Sequence, residues 1–325
     1  MRINHNAGIV YDAVAYTINH FNMKRIHTQH KPFVKNEDDI FENYYEFKKK
    51  YAVEPSNDLY LFFYFDGTNL TLMSSYLAEC FEDLDYTPQL VLELFQDKAK
   101  FRKFAYRYYL YPLKKDVDVK AVINGDDRNM AKASVLLTSI HNDYPLLIHK
   151  LFYEFDELVD ELIHFLKLIF DNVGKYRKTK KREFYRTAVD NFLNSDKANE
   201  VHKSHYIDKK VNFNKQMFAV SLFRSLVIYI SPSRSIEATL IIGNKVNPYI
   251  SGNYNYRHIT KISASTIFTT QAMSDIIDIL MKEGEKSVTQ LCIRLPYSRT
   301  NITEYIKKSF VKASGFFHIP PVFRT

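Results

Sequence analysis

Residues 287–308 read Ser-Val-Thr-Gln-Leu-Cys-Ile-Arg-Leu-Pro-Tyr-Ser-Arg-Thr-Asn-Ile-Thr-Glu-Tyr-Ile-Lys-Lys. Val288, Leu291, Cys292 and Leu295 recur at i, i+3, i+4 and i+7, which is one face of a helix. Pro296-Tyr297 breaks that pattern. Ser298 then stands where an N-cap is needed, its hydroxyl able to take an orphan amide of the next turn. In the second helix Ile302 and Ile306 turn inward and leave Arg299, Thr300, Asn301, Thr303 and Lys307 on other faces. Two short amphipathic helices across a tight turn are the layout of a helix-turn-helix, whose second helix enters a DNA major groove.

Working outward, Phe268, Met273, Ile276, Ile277 and Leu280 mark a preceding helix, and Gly284 stops it as a C-terminal glycine cap. Three helices in about 45 residues are the size of a minimal helix-turn-helix core. Between Lys286 and Lys312 there are six positive residues and one acidic one, Glu304. Such a local field serves phosphate contact. Arg bridges guanine O6/N7, Asn bridges adenine N6/N7 and Thr reaches a base or a methyl. The expected DNA-binding residues are therefore Lys286, Ser298, Arg299, Thr300, Asn301, Thr303, Lys307 and Lys308. The competing reading of the same pattern is a helical hairpin in an ordinary α domain.

Residues 263–308 resemble the DNA-binding module of ArsR-like winged-helix transcriptional regulators. Thr270–Lys282 matches the leading helix, Ser-Val-Thr-Gln-Leu-Cys-Ile-Arg-Leu the positioning helix, and Ser-Arg-Thr-Asn-Ile-Thr-Glu-Tyr-Ile-Lys-Lys the reader. The resemblance implies a winged helix-turn-helix and transcription regulation as a repressor homodimer on double-stranded DNA. Three features depart from the family. Pro296 stands where the turn glycine is usual, and there is no cysteine cluster for metal sensing. Pro320-Pro321 interrupts a wing strand, so the wing is expected to be incomplete.

The remaining composition bounds the rest. At 325 residues the chain is long enough for two domains, placed at 1–260 and 261–325, and 46% apolar residues mark it as globular. The net charge of +8 favours anionic partners. A chain rich in Lys, Asn, Tyr, Phe and Ile, as an AT-rich genome encodes, is nonetheless mildly basic whatever it does. Two cysteines, Cys80 and Cys292, are too few for a disulfide scaffold or a cysteine-rich zinc site. No two glycines are closer than Gly243 and Gly252, so neither a dinucleotide-binding G-x-G-x-x-G nor a Walker-type loop can be written. The opening residues carry no apolar core of a signal peptide, and no run reaches membrane-spanning length. A soluble cytoplasmic protein without membrane contact is expected.

The first 260 residues read as mostly α, with helices over Gly8–Asn22, Asn36–Lys50, Pro88–Tyr111, Asn142–Val173 and around Arg186–Asn194. The aromatic run Asp58–Asp66 fits a buried strand or a helix end by periodicity, and the helix end is preferred. Ser221–Ser231 and Ser235–Asn244 are rich in β-branched residues about Pro232-Ser233-Arg234 and suggest a small β-hairpin. The run Lys175–Arg182, six basic residues in eight, reads as a solvated helix start or linker ahead of a nucleic-acid contact. The pairs His27/His30 and His202/His205 lack the context of a metal site, and no nucleophile carries a recognisable motif. No metal, cofactor or enzymatic activity is therefore expected. The aromatic runs Tyr60–Phe65 and Phe101–Tyr111 suggest an effector pocket with Tyr60, Tyr64, Tyr106, Tyr108 and Tyr109 as polar tips, against the alternative that this surface packs into one large core. The rival function is a helical protein-binding or scaffold protein without DNA binding.

Overall fold

The computed structural model describes residues 2–30, 37–51, 53–64, 71–81, 83–141, 143–195, 198, 216–230, 239–246, 291 and 302–303. The chain divides into two compact units, Met1–Gly252 and Asn253–Thr325.

The described part of the first unit is mostly helical: α1 (His5–His30), α2 (Glu37–Tyr51), α3 (Tyr60–Phe63), α4 (Leu72–Cys80), α5 (Pro88–Gln96), α6 (Lys98–Leu110), α7 (Val119–Ile123), α8 (Asp127–Ile140), α9 (Pro145–Tyr153), α10 (Phe155–Thr179) and α11 (Arg182–Leu193). Short oxygen-bearing side chains start several of them. Thr71, Thr87, Asp97, Asp118 and Asp126 each accept an amide of the first turn of α4, α5, α6, α7 and α8, respectively. Capping also divides what periodicity joins. Asp97 leaves the helical region (φ −79°, ψ 70°) and caps α6, so Pro88–Tyr111 is two helices. Glu154 leaves the helical region (φ −129°, ψ 33°) without a side-chain cap and separates α9 from α10.

Helix α10 is the long spine. Leu158, Val159, Leu162, Leu166, Ile169, Phe170 and Val173 form its buried stripe, packed on α1, α2, α5 and α9. Helix α1 is buried on nearly every side from Ala7 to Ile18 because it lies against both α10 and the sheet. Its small residues Ala7, Gly8, Ala13 and Ala15 permit that approach. The helix bends at Asn22 (φ −125°, ψ 19°). There the Asn22 amide donates to the carbonyls of Ile18 at 2.8 Å and Phe63 at 3.0 Å, a side-chain intrusion of the kind that kinks helices.

The small hairpin is part of something larger. Strands β1 (Arg2–Ile3), β2 (Met217–Ser221), β3 (Ile228–Ile230) and β4 (Thr239–Gly243) form one sheet in the order β1-β2-β4-β3. Pairings β1/β2 and β2/β4 are parallel, with Arg2 opposite Met217 and Met217 opposite Thr239. Strand β3 is antiparallel to β4, Ile228 facing Ile242. Every residue of β4 is buried, as parallel strands covered by helices require, and α1 and α11 both pack on β2. Periodicity missed β1 and the parallel pairing because a short apolar run does not name its partner 200 residues away.

Of the second unit, Leu291 lies in a helix, as do Ile302 and Thr303, and both Leu291 and Ile302 are fully buried.

Two glycines separate close approach from free space. A Cβ at Gly243 would overlap the main-chain carbonyl of Ser225, which the turn after β2 cannot move aside. At Gly174 a Cβ would meet only Ile9 Cδ1, at an ordinary 3.7 Å. Gly243→Ala is expected to lower stability by about 1–3 kcal/mol through overpacking. Gly174→Ala is expected to raise it by roughly 1 kcal/mol through helix propensity. Urea unfolding of the two variants checks the opposite signs.

Candidate functional site

The polar centre of the first unit lies where α1, α10 and the end of β2 meet. Asp12 sits midway along the apolar stretch of α1 and is completely buried. One carboxylate oxygen accepts from Arg177 Nη1. The other accepts from the Ser221 hydroxyl at 2.8 Å and the Leu222 amide at 2.9 Å. Arg177 Nη1 also donates to the Val220 carbonyl at 2.9 Å, so the guanidinium joins α10 to β2 as well as to α1. Ser221 in turn accepts the Arg224 amide at 3.0 Å and shapes the turn after the strand. Burial pushes the Asp12 carboxyl up, and the Arg177 guanidinium, the Ser221 hydroxyl and the Leu222 amide pull against it.

This centre is built as a joint. Both carboxylate oxygens and the serine hydroxyl are engaged by neighbouring groups, which leaves none of them poised as a base or nucleophile. The guanidinium lies over the Tyr185 ring at 5.2 Å, and the Tyr185 hydroxyl donates back to the Arg177 carbonyl at 2.8 Å. A Cβ at Gly8 would overlap the guanidinium, so Gly8 is the residue that lets Arg177 reach Asp12. Burial, then the charges of Arg177 and Arg182, hold His5 below the ordinary imidazole range.

A second polar cluster ties α2 to the end of α10. Glu46 accepts from the Tyr176 hydroxyl at 2.6 Å, Lys50 at 2.9 Å and Lys180 at 3.0 Å. Those bonds, the one from Tyr176 foremost, hold its carboxyl down at about 2. The basic run 175–182 is thus corrected in part. Arg177 is buried and Lys180 is paired, while Lys175, Lys178, Lys181 and Arg182 are exposed. The internal two follow the inward face of α10, which a tally of charges does not resolve.

The expected effector tyrosines do not form a set of open polar tips. Tyr106 and Tyr109 are buried core residues. The Tyr106 hydroxyl donates to the Phe152 carbonyl at 3.2 Å and that of Tyr109 to the Leu61 carbonyl. A buried phenol needs such a partner, and here it ties α6 to α9 and α3. Tyr60 and Tyr64 are half-buried, Tyr60 stacked on Tyr144 at 4.5 Å and Tyr64 edge-on to His141 at 5.4 Å. Tyr108 lies half-buried against Tyr109.

Of the expected DNA-binding residues, Thr303 is helical and half-buried. Lys286, Ser298, Arg299, Thr300, Asn301, Lys307 and Lys308 lie outside the described residues, as do His202, His205 and the side chains of His27 and His30. Among the described residues no group of three or more His, Cys, Asp or Glu is placed to hold a metal ion.

Sequence reasoning missed Asp12, Asn19 and His20. The available signal was polar residues on a helix otherwise apolar all round, where burial demands a partner. Comparison with protein-family models, curated proteins and solved structures returned no match to this chain.

Asp12→Asn and Arg177→Met are each expected to destabilise by about 3–5 kcal/mol, since each strands a buried partner. The double variant should cost clearly less than the sum. Urea unfolding in a double-mutant cycle measures this coupling, and additive costs would contradict it.

Because the Glu46 carboxyl is lowered in the folded chain, its stabilisation is complete above the usual carboxylate range. It is lost as pH falls from about 4.5 toward 2. The urea midpoint followed over that interval should fall less steeply for Glu46→Gln than for the parent.

Proposed function

We propose that this protein is a DNA-binding transcriptional regulator whose C-terminal unit carries an ArsR-like helix-turn-helix, controlled through its helical N-terminal unit. The observation that carries the reading is the burial of Leu291 and Ile302, each in a helix. These are the positions that the two-helix pattern needs in a shared core, one from the positioning helix and one from the reader. Helical spacing sets Asn301 and Thr303 to either side of the inward Ile302, while Arg299 would reach the groove from the N-terminal end of the reader. Lys286, Lys307 and Lys308 flank them as phosphate contacts. The working species is a homodimer in the cytoplasm, because two-fold symmetry sets two reader helices about 34 Å apart on a pseudo-palindromic site. The absence, among the described residues, of a helix long and apolar enough to cross a membrane is compatible with this.

A second reading, a helical protein-binding or scaffold protein, is favoured by one feature. Val135, Ile140 and Leu146, on α8 and α9, are 70%, 54% and 63% exposed, respectively, and a partner docking on these two helices would cover them.

The test begins with DNA fragments co-purified with the full-length chain, sequenced and then titrated by fluorescence anisotropy at several salt concentrations. Arg299→Ala and Asn301→Ala should each cost about 1–3 kcal/mol and relax preference at one base position. Lys307→Ala should weaken every sequence alike and reduce the salt slope by about one. Parent-like binding by all three variants would sink the reader assignment, and absence of DNA from the purified parent would favour the scaffold reading.

A further inference from the structure

Helix α9 reads Pro-Leu-Leu-Ile-His-Lys-Leu-Phe-Tyr and is apolar on nearly every side. A helix of that kind belongs in an interior. Only half of it lies in one. Ile148, Leu151 and Phe152 are buried and Lys150 pairs with Asp58, while Leu146, His149 and Tyr153 stand exposed at i, i+3 and i+7. These three form one outward stripe, the His149 ring 4.8 Å from that of Tyr153.

Helix α8 precedes α9 by four residues, packs against it and adds to the same surface. Ala133 and Leu137 face inward. Val135 stands on the opposite face among Arg128, Ala131, Lys132 and Ser139, and Ile140 is exposed at the helix end. Four of the eight large apolar side chains exposed among the described residues therefore fall between positions 135 and 153. Such clustering marks an interaction surface.

The charges around the apolar stripe say what covers it. Arg128 and Lys132 put cations on the outer face of α8, whereas Glu154 and Glu157 put carboxylates just beyond the end of α9. Lys132 and Glu157 form no ion pair among the described residues, and Glu154 faces the His149 imidazole at 3.7 Å. With α8 laid antiparallel on the α9 of a second copy, Ile140 meets Leu146. The equal rise per residue then carries Val135 between His149 and Tyr153, Lys132 to Glu154, and Arg128 toward Glu157. A two-fold axis that makes this contact once makes it again with the copies exchanged. The surface thus complements itself in shape of pattern and in sign of charge, and a polyanion would instead meet the two carboxylates as like charges.

We propose that the outer face of α8 and α9 is where two copies of this chain pair about a two-fold axis, α8 of each lying antiparallel on α9 of the other. The inference names the contact of the homodimer in the reading above and rests on that reading only in that the chain pairs with itself. DNA binding does not enter.

Sedimentation velocity of the full-length chain without DNA, over a range of concentrations, tests the proposal. The parent should sediment as a dimer of the 38.4 kDa chain in equilibrium with monomer. Leu146→Asp should raise the dimer dissociation constant about a hundredfold, because the residue enters a symmetric interface twice. Lys132→Glu and Glu154→Lys should each raise it about tenfold, and the two together should return it close to the parent value, since the signs exchange across the axis. This exchange decides the matter even where Leu146→Asp impairs folding. A parent that stays monomeric, a Leu146→Asp variant that dimerises like the parent, or a charge exchange without recovery would overturn the proposal. A dimer that survives Leu146→Asp pairs through another face, which leaves the DNA-binding reading to its own titrations.

Discussion

Among the described residues of the first unit, the buried ion pair Asp12–Arg177 joins two helices to the end of a strand. Asp12 and Arg177 come from α1 and α10, and both reach the end of β2, through the Ser221 hydroxyl and Leu222 amide on one side and the Val220 carbonyl on the other. Withdrawing two charges from water is costly, and their attraction offsets that cost only when the remaining donors and acceptors are satisfied too. Here the carboxylate is fully satisfied. The guanidinium keeps Nε and Nη2 without partners, packed against Gly8 and over Tyr185. Removing either partner would strand the other charge in the interior, so the pair favours the one register of α1 on α10 in which Asp12 meets Arg177.

That constraint gives α1 an unusual position. It lies between spine and sheet, carries the joint at Asp12 and, from one turn later, a cluster of unpartnered polar atoms from Tyr16 to His20. The segment between them is continuous helix, with the bend only at Asn22.

Much of the helical layer was legible because apolar residues recur every 3.6 positions, and in α4 to α8 a capping side chain marks the start as well. Helix α10 is the clearest instance, its stripe from Leu158 to Val173 lying where periodicity places it. The sheet was only half legible. β-Branched residues mark β3 and β4, yet nothing local in Arg2-Ile3 tells that it pairs with Met217-Phe218. The polar centre was hidden for a related reason. Asp12 and Arg177 are 165 positions apart, and Arg177 sits inside a basic run whose exposed members mask it. Tyr106 and Tyr109 drew attention through their aromatic neighbours, although burial and main-chain hydrogen bonds make them core residues. The proposed reader residues between Ser298 and Lys308 are read from spacing and side-chain chemistry, and Leu291 and Ile302 are the buried helical positions described in that stretch.

Native-state hydrogen exchange tests most directly the claim that this pair makes helices and sheet one cooperative body. The amides of Ala13–Tyr16 in α1, Leu166–Phe170 in α10 and Phe218–Ser221 in β2 should open with a single shared free energy, equal to that of global unfolding. In Arg177→Met the strand amides should separate and exchange at a lower free energy than the helices. If the strand already opens on its own in the parent while α1 and α10 stay protected, the pair is not what couples them.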